Sequence, residues 1–164
     1  MTSWKGRSGR ARAVAARGDF VKTILIAAVP ASAAVISNAL GSTARMMTAH
    51  TIEDAFEAAL IGVDLVIAGT YFDNARMFDL LRRLKSDAKT RHIPVLCVRG
   101  VSAQDILGTQ TIQPVLASLD IVESASRALG AEDYIDLIAR RRDIDVDAAS
   151  AELARAARAY LGLG

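Results

Sequence analysis

Short apolar runs of strand length alternate with amphipathic runs of helix length along this chain, and that alternation predicts its architecture. Residues 23–29, TILIAAV, are continuously apolar, β-branched at the start and stopped by Pro30. Such a run suits a strand covered on both faces, as in a parallel sheet. A helix follows to Leu40, with Ser32 placed as its cap and Gly41 as its stop. Residues 43–49 read as a weaker strand around Met46 and Met47. Thr51 with Asp54 three residues on makes a capping box, and Ile52, Ala55, Phe56, Ala59 and Leu60 share the face of a helix ended by Gly62.

The stretch VDLVIAGTYFDNARMFDLLRRL, from Val63 to Leu84, is the centre of the pattern. Leu65 to Ala68 is a strand bounded by Gly69, and Thr70 to Asn74 is a polar, turn-prone link. A helix then sets Met77, Leu80, Leu81 and Leu84 against Arg76, Asp79, Arg82 and Arg83. The next strand arrives at residues 93–98, IPVLCV. Repeated strand–helix–strand units with short helices predict right-handed crossovers and a doubly wound parallel sheet. Residues 101–114 read as a loop, and a helix from about Val115 to Leu129 turns Val115, Leu119, Val122 and Ala125 inward. A last, alanine-rich helix, capped near Asp145 or Asp147, packs Val146, Leu153, Ala157 and Leu161.

Composition narrows the class. At 164 residues the chain fits one domain with a respectable core, and a net charge of +2 marks the whole neither as a polyanion binder nor as an acidic tail. Its single cysteine, Cys97, excludes an intrachain disulfide and lies within an apolar strand, as a small buried hydrophobe. A cytoplasmic protein is expected. The most apolar window, Ile24 to Leu40, is broken by Pro30, Ser32, Ser37 and Asn38, so no membrane partner is expected. Residues 1–21 read as a basic, disordered tail carrying Lys5, Arg7, Arg10, Arg12 and Arg17, and residues 22–164 as the folded domain. Weak contact with nucleic acid or anionic lipid is open to that tail alone.

From Val63 to Val98 the chain resembles a response-regulator receiver domain of the CheY-like type, without a gap. The apolar strand, the helix ending Asp79-Leu80-Leu81-Arg82-Arg83-Leu84-Lys85 and the link Thr90-Arg91-His92-Ile93-Pro94-Val95 carry the likeness. It returns at Ala128 to Ile135, ALGAEDYI, the family's entry into a fifth strand. Over residues 23–161 the resemblance implies a flavodoxin-like α/β fold, a five-stranded parallel sheet in order 2-1-3-4-5 between two layers of helices. It also implies where the family's chemistry has been lost. The acidic pair that holds the metal falls on Ala28 and Val29, and the phosphoryl-accepting aspartate on Gly69. The hydroxyl residue ending strand four falls on Arg99 and the lysine ending strand five on Leu137, followed by Ile138 in place of a proline. The switch aromatic survives as Tyr134. Magnesium needs hard oxygen ligands, which alanine, valine and glycine side chains do not supply, so no cofactor is expected and aspartyl phosphorylation is not.

Other chemistry finds little support. His50 and His92 are far apart with no cysteine or acid cluster, no glycine-rich loop follows the first strand, and no nucleophile elbow surrounds a serine. Asp73, Asp79 and Asp87 read as surface charge, Asp73 lying closest to the lost pocket. Arg99 ends a central strand at the carboxyl edge, where open α/β sheets place ligands, and is expected to pair with Asp73, Asp136, carbonyl oxygens or an anion. Two functions follow. One is a stand-alone signalling module, not an enzyme, that binds another signalling protein (a kinase, output domain or regulator) or a second copy through helix 4, strand 5 and helix 5. The other is a sensor of a small anionic ligand, with Arg99, Asp73, Thr70 and Ser32 around the vacated pocket.

Overall fold

A computed structural model describes residues 21–100, 119–138 and 146–163. Strand β1 (Thr23–Ala27) leads to α1 (Pro30–Leu40), β2 (Arg45–Ala49) to α2 (Ile52–Gly62), and β3 (Leu65–Gly69) through a short turn, Phe72–Ala75, to α3 (Met77–Ser86). Strand β4 (Val95–Arg99), α4 (Leu119–Ala128), β5 (Asp133–Asp136) and α5 (Val146–Leu161) complete it. All four strand pairings are parallel and the order is β2-β1-β3-β4-β5. This is the doubly wound, flavodoxin-like sheet that the alternation and the resemblance imply.

Alternate residues of the strands feed two apolar layers. On one face Leu25, Val66, Val95 and Cys97 meet α2, α3 and α4 through Ala55, Ala59, Leu80, Leu81, Leu84 and Val122. On the other, Ile24, Ile26, Ile67, Leu96 and Val98 meet Ile36 and Leu40 of α1 and Ala149, Leu153, Ala157 and Leu161 of α5. Burial on both faces explains why β1, β3 and β4 read as unbroken apolar runs rather than alternating ones.

Several local expectations shift. Strand β1 ends at Ala27, and Pro30 itself opens α1 in the first helical position, where its fixed φ and missing N–H cost nothing. Val29 is therefore the N-cap and makes no side-chain bond, while Ser32 is turned inward at 3% exposure and caps nothing. In α2 the Thr51 hydroxyl does accept from the Asp54 N–H, at 3.2 Å. Leu60 is exposed, however, and Ala58 takes the inward position. In α4, Ser126 rather than Ala125 is fully buried, its hydroxyl donating to the Val122 carbonyl at 2.7 Å. Asp147 lies within the first turn of α5 and is not its cap. The expectations for residues 1–20, the 101–114 loop, Val115 and Asp145, and for the side chains of Leu119 and Val146, fall outside the described residues.

Candidate functional site at the carboxyl edge

The strand order brings the ends of β1, β3, β4 and β5 to one edge. Ala28 is fully buried and joins the α1/α5 layer, as does Leu137 at 1% exposure. Two positions to which the resemblance assigns charged groups are thus continuous with the apolar core. Gly69 faces Ala28 closely: a Cβ on residue 69 would stand 3.0 Å from the Ala28 Cβ and 3.4 Å from its Cα. A side chain at 69 would crowd Ala28, which would have to give by a few tenths of an ångström. Val29, half-buried, accepts the Ala33 N–H at 2.9 Å as the helix begins.

Charge reappears one strand over. Arg99 and Asp136 are register partners on β4 and β5, and the Arg99 Nε donates to the Asp136 Oδ1 at 3.0 Å. The side chains are 15% and 14% exposed, so water screens the pair only partly. The same oxygen accepts the Ile138 N–H at 3.0 Å, which fixes the carboxylate against the backbone leaving β5. Of the partners open to Arg99 in the sequence, Asp136 is the one bonded among the described residues.

Asp73 goes elsewhere. Its Oδ2 accepts the Ile52 N–H at 3.0 Å, so the carboxylate sits on the N-terminus of α2, where free N–H groups and the helix dipole favour an anion. Arg76 Nη1 lies 3.7 Å from the same oxygen. To make that bridge the chain passes through three left-handed residues, Asp73, Asn74 and Ala75, at φ 44°, 58° and 61°. Nearby, His50 Nδ1 lies 2.9 Å from the Ala28 carbonyl oxygen; a carbonyl only accepts, so Nδ1 carries the proton.

Thr70 is buried and ties β3 to β4, its N–H and hydroxyl both donating to the Val98 carbonyl, at 3.0 and 3.2 Å. Tyr134 is 5% exposed, and its hydroxyl has no hydrogen-bond partner among the described residues. Burial pushes its pKa up to about 12, an effect that the neighbouring Thr70 hydroxyl partly offsets. Cys97, the register partner of Tyr134, is likewise pushed up to about 12 by burial, with Ser126 opposing. It is a neutral thiol packed in the core rather than a nucleophile. Ser32 packs on the backbone of Gly100, where an added Cβ would stand 2.7 Å from its Oγ.

The structure therefore groups Arg99, Asp136, Thr70 and Tyr134 at the ends of β3, β4 and β5, with Ser32 beside Gly100. It sends Asp73 to α2 and closes Ala28 over Gly69. Neither the Ala28–Gly69 approach nor the destination of Asp73 is legible in the sequence, which offers for the first only a pair of small residues at the ends of adjacent strands. Among the described residues no three His, Cys, Asp or Glu side chains gather as a cation site.

No family model and no curated protein sequence matches this chain. Solved structures do. A candidate response regulator from Chloroflexus aurantiacus superposes with a TM-score of 0.62 at 17% identity, over 87% of this chain and 98% of that one. A response regulator from Hahella chejuensis gives 0.59 at 16%, over 85% and 94%. The phosphorylated cyanobacterial phytochrome response regulator RcpA gives 0.58 at 19%, over 88% and 96%. The chain has the fold of response-regulator receiver domains. At these identities the likeness speaks for the fold alone.

Proposed function

We propose that this chain is a receiver-fold signalling module that acts by binding other proteins and takes no phosphoryl group. The observation that carries the reading is the Ala28–Gly69 contact: where the resemblance puts two metal-binding acids and an acceptor, two apolar backbones are packed together. Among the described residues the carboxylates at the strand ends are committed, Asp136 to Arg99 and Ile138, and Asp73 to the start of α2. The positions at which the resemblance puts the metal-binding acids, the acceptor and the lysine carry no group that could balance charge on a transferring phosphoryl group. In this reading residues 22–164 are the module, residues 1–21 an appended basic tail, and the protein is cytoplasmic and not an enzyme. Its partners are a kinase, an output domain, a regulator or a second copy, docked on α4, β5 and α5.

The Arg99–Asp136 bridge ties β4 to β5 directly behind that face, which favours one fixed arrangement and constitutive binding. The anion-sensor reading asks Arg99 for its charge, which Asp136 already balances, and no observation favours it over the first. The test is a titration with magnesium, then magnesium plus beryllofluoride, followed by amide resonances of the carboxyl edge. The expected result is no saturable shift at Gly69, Thr70, Arg99 or Tyr134; saturable shifts at those residues would refute the reading.

A further inference from the structure

Parallel strands with returning helices give the molecule a second edge, where strands begin and helices end. Cations gather there. Lys22 and Arg45 stand at the starts of β1 and β2, Arg83 and Lys85 in the last turn of α3, and Lys89 and Arg91 in the link to β4. Arg127 and Arg158 lie in the last turns of α4 and α5. Against these eight stand five acids, Asp64, Asp87, Glu123, Glu132 and Asp133, Glu123 being bridged to Arg127 at 3.2 Å. Residues 1–20 hold five cations and one acid. The rest of the sequence holds seven cations and twelve acids, so the net charge of +2 conceals a charge polarity. Helix dipoles favour cations in last turns, but Lys22, Arg45, Lys89 and Arg91 are not in helices.

The same edge collects exposed apolar side chains. Among the described residues the large hydrophobics left in water are Val21, Leu60, Ile61, Ile121 and Tyr160, and Ile61 is 84% exposed. Val21 precedes β1, Leu60 and Ile61 end α2, and Tyr160 ends α5 with its hydroxyl 3.5 Å from the Glu132 carbonyl at the start of β5. Only Ile121, near the start of α4, lies elsewhere. Lys22 bridges to Asp64 at 3.6 Å, and the Asp64 Oδ2 accepts the Thr23 N–H at 2.8 Å, which ties the start of β1 to the residue before β3.

We propose that this strand-start edge is a docking face for an anionic membrane surface, held by its cations and by shallow insertion of Ile61, Leu60 and Val21. A nucleic-acid backbone would use the cations but has no use for aliphatic studs. A protein partner would want the apolar residues in one central patch. With Tyr160 they run from β1 to β5, three strand spacings or roughly 14 Å, which suits a lipid surface with no shape of its own to match. The binding is peripheral, for no helix among the described residues is long and apolar enough to cross a membrane. The face shares Arg127, Arg158 and Tyr160 with the proposed signalling surface, but Lys22, Arg45, Lys89, Arg91 and Ile61 lie outside α4, β5 and α5, and flotation reads lipid alone, so either reading can fail alone.

The test is flotation of the full chain with vesicles of pure phosphatidylcholine and of equimolar phosphatidylcholine and phosphatidylglycerol. The protein is expected to float with the anionic vesicles alone and to be released by salt. Reversing two exposed cations together, Lys89→Glu and Arg91→Glu, should weaken partitioning by about fivefold or more for each. Ile61→Asp should weaken it with the cations intact, and circular dichroism checks that each variant is folded. No flotation with either vesicle, or equal flotation with both, would overturn the proposal. So would variants that float like the parent, which would leave the tail as the sole contact. Tight binding to duplex DNA that ignores Ile61→Asp, with no flotation, would assign the edge to nucleic acid instead.

Discussion

Arg99 and Asp136 show how a charge is kept at a largely buried position: each has the other, and the carboxylate has a backbone N–H as well. Arg99→Ala leaves a mostly buried carboxylate with one partner fewer and should cost about 2 kcal/mol in chemical denaturation, Arg99→Thr about the same. Arg99→Thr with Asp136→Asn should recover much of the loss, because the penalty lies in a carboxylate deprived of its Arg99 counter-charge. If both single variants keep the parent's stability, the pair is not structural. Cys97 and Tyr134 give a second handle. Both are acids whose folded pKa, about 12, stands above the ordinary values of 9.0 and 10.0. The unfolded chain therefore loses these protons first. Their contribution is intact below pH 9, and stability then falls as pH climbs toward 12, by about 1.4 kcal/mol per unit for each group in its range. Urea melts should show that slope beginning with Cys97, and Cys97→Ala with Tyr134→Phe should flatten it.

The β3–α3 turn is the least relaxed element described. Asp and Asn tolerate the left-handed region, but Ala75 at φ 61° has no side-chain bond to offset the crowding of its Cβ. Ala75→Gly should raise stability by about 1 kcal/mol, and Asp73→Ala should lower it by about 1 kcal/mol by uncapping α2. Thermal melts check both signs, and an Ala75→Gly variant less stable than the parent would contradict the strain. This turn also marks where sequence reading stopped. The apolar runs specify β1, β3 and β4, and the spacing of Met77, Leu80, Leu81 and Leu84 specifies α3, because period and burial are local properties. That Arg99 would seek a carboxylate was legible, since few partners can sit beside a strand end. That Asp73 would reach twenty-one residues back to Ile52 was not, because sequence gives no distance between a loop and another helix's start. Ser32 failed as a cap for a local reason: Pro30 could serve as either the stop or the first helical residue, and it serves as the latter.

At the scale of the whole molecule, one sheet presents two edges of different character. The carboxyl edge has apolar packing where Ala28 meets Gly69, with the Arg99–Asp136 bridge beside it; the strand-start edge is basic and studded with Ile61 and Val21. Both follow from placing small residues at strand ends and cations at strand starts, in a link and at helix ends of an otherwise ordinary receiver fold. The proposed signalling role depends on the first edge having given up phosphoryl chemistry. Intact-mass spectrometry of the chain after incubation with magnesium and acetyl phosphate, with and without hydroxylamine, tests that most directly. The mass is expected to remain that of the unmodified chain. A phosphoryl adduct on Asp73 or Asp136 that hydroxylamine removes would contradict the account.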